Sequence, residues 1–451
     1  MSRDEAIDQI GNILERYFET QHSPFVAGRT LVQYAGTTFG SEEYLAAISS
    51  LLSGWVGLAG AGHRLEQALS KELGTTLGLL SNSGSSANLL AVATMRSRNF
   101  RRPLKPRDEI IMPAMTFPTT VNPVLQNGLV PVFIDVHPGT YNLRADLLEQ
   151  CLSDRTRGVM FAHALGNPAD LDAICDFCRK HDLLMVEDCC DALGASWNGK
   201  PVGSFGDFAT LSLYPSHHIS MGEGGFVGAR DIDDARILRS LRDWGRDCYC
   251  EGREGQLENG HCKKRFSNWL DGVDAVMDHK YVYSEIGYNL KPMELQAAIG
   301  LVQVKRLPGI VAARRANFSR YHQYFQRHQE FFTLPVWDPR ANPSWFSYPL
   351  TVRAGAPFKR SDLVKFLESR RIQTRNLFAG NLLRQPAYRD IEHRVVGSLQ
   401  VSDQVLTDAF FLGVYPGLTH EMMDYVFSVL DEFLSSRLPN TKSITRSGNE
   451  A

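Results

Sequence analysis

Three short segments of this chain carry residues whose types and spacing could do chemistry. The first is SNSGSSAN, residues 81–88, where an apolar stretch predicted as a strand gives way to helical spacing. Backbone N–H groups at a helix N-terminus, with serine hydroxyls beside them, form an anion site that suits a phosphate group. The same pattern is typical of an N-capped helix whose small residues serve packing. The segment alone leaves both interpretations open.

The second segment is EDCCD, residues 187–191, which follows the apolar run LLMV. Ligands of a parallel sheet lie at the carboxyl ends of its strands. A carboxylate in that place can keep a pyridine nitrogen protonated, which makes a pyridoxal-type ring an electron sink. A set of solvated turn acids is the alternative. The third segment, SLYPSHH at 212–218, ends a predicted strand with two histidines, and a histidine can serve as a general base.

Cysteines form a fourth pattern, because the chain has eight of them. Four have the spacing C-x57-C-x1-C-x11-C, and four thiolates can hold a [2Fe-2S] cluster. Zinc is an alternative, although its ligand pairs are more often separated by two residues. The charged, glycine-rich stretch that holds three of them predicts a loop, in which core packing does not explain a thiol. The predicted cluster ligands are Cys190, Cys248, Cys250 and Cys262, and the predicted packing residues are Cys151, Cys175, Cys178 and Cys189.

Composition limits the class of protein that these residues can belong to. The chain has 451 residues, 43% of them hydrophobic, and its 48 basic and 50 acidic side chains leave a net charge of −2. This balance predicts a globular fold with a large core and excludes a disordered chain. It also disfavours nucleic-acid binding through bulk charge. No apolar run is long enough to span a membrane, and the N-terminus does not resemble a signal peptide, so we expect a cytoplasmic location.

The elements that must position these residues follow from the periodicity. Between about 60 and 240, short apolar runs alternate with helical patterns, which predicts an α/β fold with a mostly parallel sheet covered on both faces. A long helical pattern from about 290 leads into a smaller α+β region and a closing helix at 419–436. The predicted parts are an N-terminal arm (1–60), a large α/β domain (61–290) containing the cysteine loop (245–265), a connecting helix with a small domain (291–438), and a flexible tail (439–451).

Taken together, the order, spacing and local sequence of the three segments resemble the fold type I pyridoxal-phosphate enzymes, specifically the DegT-type sugar aminotransferase family. The resemblance implies a mostly parallel seven-stranded sheet sandwiched by helices and a smaller C-terminal α+β domain. In that family the stretch matching 212–217 ends in a lysine that binds the cofactor covalently, whereas this chain has His217, and the next lysine downstream is Lys263. Since histidine forms no stable Schiff base, the resemblance implies pyridoxamine phosphate held without a covalent link. A degenerate, inactive relative is the alternative.

The resemblance also assigns roles to residues at matching positions. It implies phosphate contacts at Gly84, Ser85 and Ser212, and a contact of Phe117 with the ring face. Asp188 would pair with the pyridine nitrogen. His217, Tyr214 and Asp191 would be catalytic, with His217 as the base. Asn289 would reach the phosphate of the neighbouring subunit, which implies a homodimer.

Histidine in place of lysine, combined with four cysteines, resembles one subgroup of that family, the CDP-4-dehydro-6-deoxyglucose 3-dehydratases. The stretches LYPSHHISMGEGGFV, CKKRF, IGYNLK, LFAGNLLRQPAY and YPGLTH carry this resemblance. It implies C3 dehydration of a nucleotide-linked 4-keto-6-deoxyhexose, with electrons supplied through the cluster by an NAD(P)H-dependent flavin/iron–sulfur reductase. The interval from Cys250 to Cys262 is longer than is usual in the subgroup, and an inserted loop can be accommodated if its ends stay close.

Substrate contacts are expected from RIQTRNLFAGNLLRQ, where Arg375, Asn381 and Arg384 could bind the sugar or the diphosphate. A solvated basic loop is the alternative. Three other functions remain open at this stage. They are a GDP-sugar 3-dehydratase without a cluster, an aminotransferase, and a non-catalytic iron–sulfur protein on the same scaffold.

Overall fold

The computed structural model describes residues 1–21, 24–247, 266 and 270–437. Its α-helices are α1 (Arg3–Thr20), α2 (Ser41–Leu51), α3 (Gly60–Leu73), α4 (Gly84–Arg96), α5 (Pro118–Gln126), α6 (Leu171–Lys180), α7 (Ile232–Arg242), α8 (Glu294–Phe325), α9 (Arg360–Ser369), α10 (Gln400–Asp408) and α11 (His420–Arg437). Its strands are β1 (Leu77–Ser81), β2 (Glu109–Pro113), β3 (Val130–Ile134), β4 (Thr156–Ala162), β5 (Leu184–Asp188), β6 (Ser196–Trp197), β7 (Lys200–Pro201), β8 (Phe208–Ser212), β9 (Gly225–Ala229), β10 (Phe332–Thr333), β11 (Ala341–Asn342), β12 (Ser347–Val352), β13 (Arg394–Val395) and β14 (Ala409–Gly413).

The central sheet has the strand order β1-β9-β8-β5-β4-β2-β3-β13. Its strands are parallel from β8 to β13, and β9 pairs antiparallel with both β1 and β8. Buried apolar clusters cover both faces, as expected for strands that read as continuous hydrophobic runs. The predicted α/β, mostly parallel, fold type I architecture is therefore confirmed. The sheet has one strand more than the seven implied, because the short β13 adds to β3, with Arg394 bonded to the buried Glu109 at 2.7 Å.

Helix α8 connects the sheet to the smaller C-terminal region. Its first half packs on α2 and α3, and its second half packs on β12. The antiparallel sheet β10-β12-β14 encloses an aromatic core with α8, α9 and α11. In this core the rings of Phe318 and Trp345 stack with centroids 3.7 Å apart. Within the described residues, no helix is both long and apolar enough to cross a membrane.

Candidate active site

The first predicted segment forms the turn between β1 and α4. Ser83 caps α4, because its side chain accepts a hydrogen bond from the Ser86 N–H at 3.1 Å. The N–H groups of Gly84 and Ser85, in the first turn, have no partner within the helix. A Cβ at position 84 would lie 2.7 Å from Cβ of Ser212 and 3.1 Å from Sγ of Cys190, so only glycine fits. The helix is thus both N-capped and free to bind an anion, and the two interpretations hold together.

The carboxylate of Asp188 ends β5 inside a buried hydrogen-bond network. Its Oδ2 accepts hydrogen bonds from Nδ2 of Asn88 and Oγ1 of Thr120, each at 2.8 Å. Its Oδ1 accepts one from the backbone N–H of Cys190 at 3.2 Å. Asn88 is oriented in turn by Oγ1 of Thr210, which donates to the Asn88 carbonyl oxygen at 2.7 Å. Among the described residues no cationic side chain pairs with Asp188. A buried carboxylate with this surrounding suits a ligand that brings its own charged N–H.

The two adjacent histidines after β8 have different environments. Nδ1 of His217 lies 3.3 Å from Oδ1 of Asp191, but it forms no hydrogen bond among the described residues. The His217 ring lines the cavity and packs against Phe346 with centroids 5.3 Å apart, which leaves Nε2 open to the cavity. His218 is buried, and its Nε2 lies 3.0 Å from the Ser344 carbonyl oxygen. Burial holds the pKa of His218 well below its usual value.

These side chains line a cavity of about 1010 Å³ at the carboxyl edge of the sheet. The structure brings together ten of the predicted residues there, namely Gly84, Ser85, Phe117, Asp188, Cys190, Asp191, Ser212, Tyr214, His217 and Arg375. Arg375 lies over the ring of Tyr34, with 4.1 Å between its guanidinium carbon and the ring centroid. Phe117 contacts Phe378 edge-on, at 6.4 Å between centroids. Phe378 has φ +46°, an unusual conformation for a bulky residue and one that is concentrated at functional sites.

Two of the predicted substrate residues do not line this cavity. Asn381 is 1% exposed, and its Nδ2 donates to Asp403 at 2.8 Å while its Oδ1 accepts from the Leu383 N–H. Arg384 binds both carboxylate oxygens of Asp403, at 2.8 and 2.7 Å. This pairing raises the pKa of Arg384 and lowers that of Asp403. Both side chains therefore stabilise the loop that carries them.

Asn289 also lies outside the cavity of its own chain. Its side chain is exposed, and its backbone pairs with Asp243 in an isolated antiparallel bridge. The predicted role of Asn289 requires a second subunit, and its exposure leaves it available for one.

Cys190 is the predicted cluster ligand that falls in the described part of the chain, and Cys248, Cys250 and Cys262 lie outside the described residues. Its thiol lines the cavity beside Gly84. Burial, with the nearby carboxylates of Asp188 and Asp191, raises its pKa well above the usual value. A thiolate at this position therefore requires a nearby cation, and metal binding would supply one. The predicted packing role is confirmed for Cys151, Cys178 and Cys189, which are core residues, and for Cys175, which packs against the core.

A second group of possible metal ligands, His163, Glu187 and Cys189, lies behind the cavity and is fully buried. Its atoms already have partners. Glu187 accepts hydrogen bonds from His163 and from the N–H groups of Gly203, Phe205 and Gly206, between 2.6 and 3.1 Å. Nδ1 of His163 accepts one from the Ala169 N–H at 3.1 Å. The hydrogen bonds of Glu187 in this group fix the turn before β8.

The sequence interpretation missed three residues that support Asp188, which are Asn88, Thr120 and Thr210. A signal for Asn88 was present, because it lies four residues after Gly84 and so shares a helix face with it. Thr120 and Thr210 carried no comparable signal, since their contact with Asp188 and Asn88 arises from the packing of α5 and β8 around α4.

This chain is similar in sequence to proteins of known name and similar in fold to solved structures. It is 43% identical to the lipopolysaccharide biosynthesis protein RfbH of Salmonella typhimurium, over 96% of this chain and 99% of that protein. It is also 43% identical to dTDP-4-dehydro-2,6-dideoxy-D-glucose 3-dehydratase of Saccharopolyspora spinosa, over 96% and 93% of the two chains. A solved structure of GDP-4-keto-6-deoxymannose-3-dehydratase with a trapped PLP–glutamate geminal diamine matches with a TM-score of 0.78 and 27% identity, over 88% of this chain and all of that one.

The family profile matches residues 38–431, which include every cavity residue discussed above except Tyr34. With most of its length matched, the chain belongs to the DegT/DnrJ/EryC1/StrS aminotransferase family.

Proposed function

We propose that the protein is a pyridoxamine-phosphate-dependent 3-dehydratase of a nucleotide-linked 4-keto-6-deoxyhexose, with CDP-4-dehydro-6-deoxy-D-glucose as substrate. The observation that carries the proposal is His217 at the position of the family's lysine, lining the cavity beside Asp191. The names of two similar proteins, both sugar 3-dehydratases, support the reaction class. The CDP group rests on the sequence resemblance.

The cavity residues fit the cofactor. The N-terminus of α4, at Gly84 and Ser85, and the Ser212 hydroxyl would bind the phosphate. Asp188 would bind the protonated pyridine nitrogen, and Phe117 would contact the ring. When bound, pyridoxamine phosphate supplies an amine for the sugar ketone and a ring that accepts an electron pair.

The contacts of His217 support its role as the base. The carboxylate of Asp191 lies 3.3 Å from Nδ1 of His217, so Nε2 is the nitrogen that would accept a proton from a ligand in the cavity. Asp191 would then stabilise the imidazolium. Tyr214, which is 47% exposed and lines the same cavity, would orient the departing C3 hydroxyl.

We further propose that Cys190, Cys248, Cys250 and Cys262 hold a [2Fe-2S] cluster and that a flavin/iron–sulfur reductase is the partner. The contact of Cys190 with the phosphate turn would place a ligand of the cluster at the wall of the cofactor cavity. A cluster transfers one electron at a time, which the cofactor alone does not readily do. We also propose a homodimer in which Asn289 contacts the partner's cofactor.

The test is anaerobic purification followed by assays of iron, sulfide and pyridoxamine phosphate. Each of the CDP-, dTDP- and GDP-linked 4-keto-6-deoxyhexoses is then supplied, and loss of water is followed by mass spectrometry. We expect iron and sulfide in the protein and loss of water from the CDP sugar. Iron-free protein that dehydrates the GDP sugar would replace the cluster proposal with the cluster-free dehydratase. Repeated transamination from glutamate, without loss of water, would overturn the dehydratase proposal.

A second arm tests His217 directly. His217→Lys should bind pyridoxal phosphate covalently, detected as a mass increase after borohydride reduction, and should lose dehydratase activity. Dehydration that persists in this variant would show that His217 is not the base.

A further inference from the structure

Helix α8 carries a buried arginine that is in direct contact with no carboxylate of the described residues. The Arg314 side chain belongs to a residue only 1% exposed, and its Nε is buried without a hydrogen-bond partner. Burial lowers the pKa of Arg314 to about 10, and Asp191 is the acid that opposes this shift. A buried cation without a directly paired acid is costly unless other acceptors bind it, and main-chain carbonyl groups are the acceptors here.

The Arg314 guanidinium binds the main chain of two different segments. Nη2 donates to the carbonyl oxygen of His217 at 2.9 Å and lies 3.3 Å from that of Ser216. Nη1 donates to the carbonyl oxygen of Phe346 at 3.0 Å and lies 3.4 Å from that of Trp345. The two segments carry the rings of His217 and Phe346, which pack against each other at the cavity.

We infer that Arg314 is a positioning residue that holds His217 and Phe346 in register by binding both main chains with one rigid, planar group. The five N–H donors of arginine lie in a fixed fork, which can address two pairs of acceptors at once. A lysine ammonium is a point donor on a flexible stem, so it can satisfy one of the two segments but cannot fix their separation. This role rests on the proposed function only in that His217 is the base.

The next residue of α8 provides a matched control. Nε of Arg315 donates to the carbonyl oxygen of Pro343 at 2.8 Å, and its Nη2 lies 3.3 and 3.4 Å from those of Gly194 and Asn342. Arg315 therefore also binds main-chain carbonyls without a carboxylate partner among the described residues. Its contacts do not include the His217 segment.

The experiment compares Arg314→Lys, Arg314→Met, Arg315→Lys and Arg315→Met in the full-length, cofactor-loaded enzyme. Because a misplaced catalytic group can cost about 100-fold, we expect both Arg314 variants to lower kcat by roughly 10- to 100-fold while KM changes less than about threefold. The Arg315 variants should keep kcat within about threefold. The lysine variants keep the test usable if a methionine variant does not fold.

A second readout does not depend on activity. The rate at which diethyl pyrocarbonate modifies His217 in the cofactor-free protein is measured by peptide mass spectrometry. It should rise severalfold in the Arg314 variants, because the ring is less firmly held, and stay unchanged in the Arg315 variants. Unchanged kcat and modification rate in a folded Arg314 variant would overturn the inference. A changed modification rate in a protein whose wild type dehydrates no sugar would instead refute the proposed function and leave the positioning role intact.

Discussion

Replacing Gly84 by alanine tests whether the turn before α4 is the phosphate site. The added Cβ would lie 2.7 Å from Cβ of Ser212, 3.0 Å from its Cα and 3.1 Å from Sγ of Cys190, whereas ordinary contact begins at 3.4 Å. The nearest atoms include backbone, so rotation of a side chain cannot remove the overlap. Either α4 or the end of β8 must move, and both carry predicted phosphate contacts.

The expected size of the effect follows from the chemistry of overpacking. Extra atoms in a packed interior cost about 1–3 kcal/mol, and we expect the free energy of unfolding of Gly84→Ala to fall by that amount. Displacement of the helix N-terminus by a few tenths of an ångström weakens its bonds to a phosphate. Loss of about 1.4 kcal/mol raises a dissociation constant tenfold, so we expect the dissociation constant of pyridoxamine phosphate to rise at least about tenfold.

The assay combines urea unfolding with cofactor titration followed by tryptophan fluorescence. Gly309→Ala is the control, since a Cβ at this position in α8 meets nothing within 4 Å. Alanine in place of glycine in a helix should stabilise this variant by about 0.5–1 kcal/mol and leave cofactor affinity unchanged. Ser212→Gly is also combined with Gly84→Ala. It removes the shortest contact, so the two changes should be coupled by about 0.5–3 kcal/mol in unfolding. Wild-type cofactor affinity in folded Gly84→Ala would refute the assignment of the phosphate site.

Three further predictions concern the proposed cluster, the substrate contact of Arg375, and the ion pair between Arg384 and Asp403. Cys190→Ser should lose most of its bound iron, because it removes a proposed ligand, whereas Cys189→Ala should keep its iron. Equal iron content in the two variants, measured colorimetrically, would contradict the assignment of Cys190 as a cluster ligand. Arg375→Met should raise KM about tenfold or more with little change in kcat, because it removes a charged contact worth about 1.5–3 kcal/mol. Arg384→Met should leave KM unchanged, because Arg384 binds Asp403 outside the cavity. The reverse result in steady-state kinetics would favour the substrate role that the sequence predicts for Arg384. Arg384 lowers the pKa of the Asp403 carboxyl in the folded state. The ion pair of these two residues therefore contributes fully to stability above the pKa of about 4 that Asp403 has in the unfolded chain. This contribution is lost as the pH falls through the lower pKa of the folded state. The unfolding free energies of wild type and Asp403→Asn should therefore differ at pH 7 and converge in acid, and a constant difference across pH would exclude this ion pair as the cause.

Local periodicity was sufficient to predict the class of the fold. The alternation of apolar runs and helical spacing predicted the parallel sheet, since a buried parallel strand reads as an apolar run, as β3 does and as β2 does after Glu109. The strand β13 was not predictable in this way. Its two residues carry no strand pattern, and they pair with Val132 and Phe133 of β3, which are far away in sequence.

The site was predictable where a residue's environment depends on its own element. Gly84 and Asp188 follow from a strand end and a helix start. The distinct environments of His217 and His218 depend on Arg314 and Ser344, about a hundred residues later, so no local pattern could separate them. The predicted substrate role of Arg384 likewise rested on a basic loop whose acidic partner is on α10.

The end of β5 shows how one short segment can place some side chains in the core and others in the cavity. Extended residues point alternately to opposite sides, so Glu187 and Cys189 enter the core while Asp188 and Cys190 face the cavity. Asp191 lies next to His217, and Glu223 is a third acid in the cavity wall after Asp188 and Asp191. Among the described residues, Arg375 is the one arginine or lysine that lines this cavity. These acids favour a ligand that carries a protonated nitrogen beside Asp188. The same acids repel a phosphate group, so we expect a phosphate to bind where backbone N–H groups outweigh the acids, which is the first turn of α4.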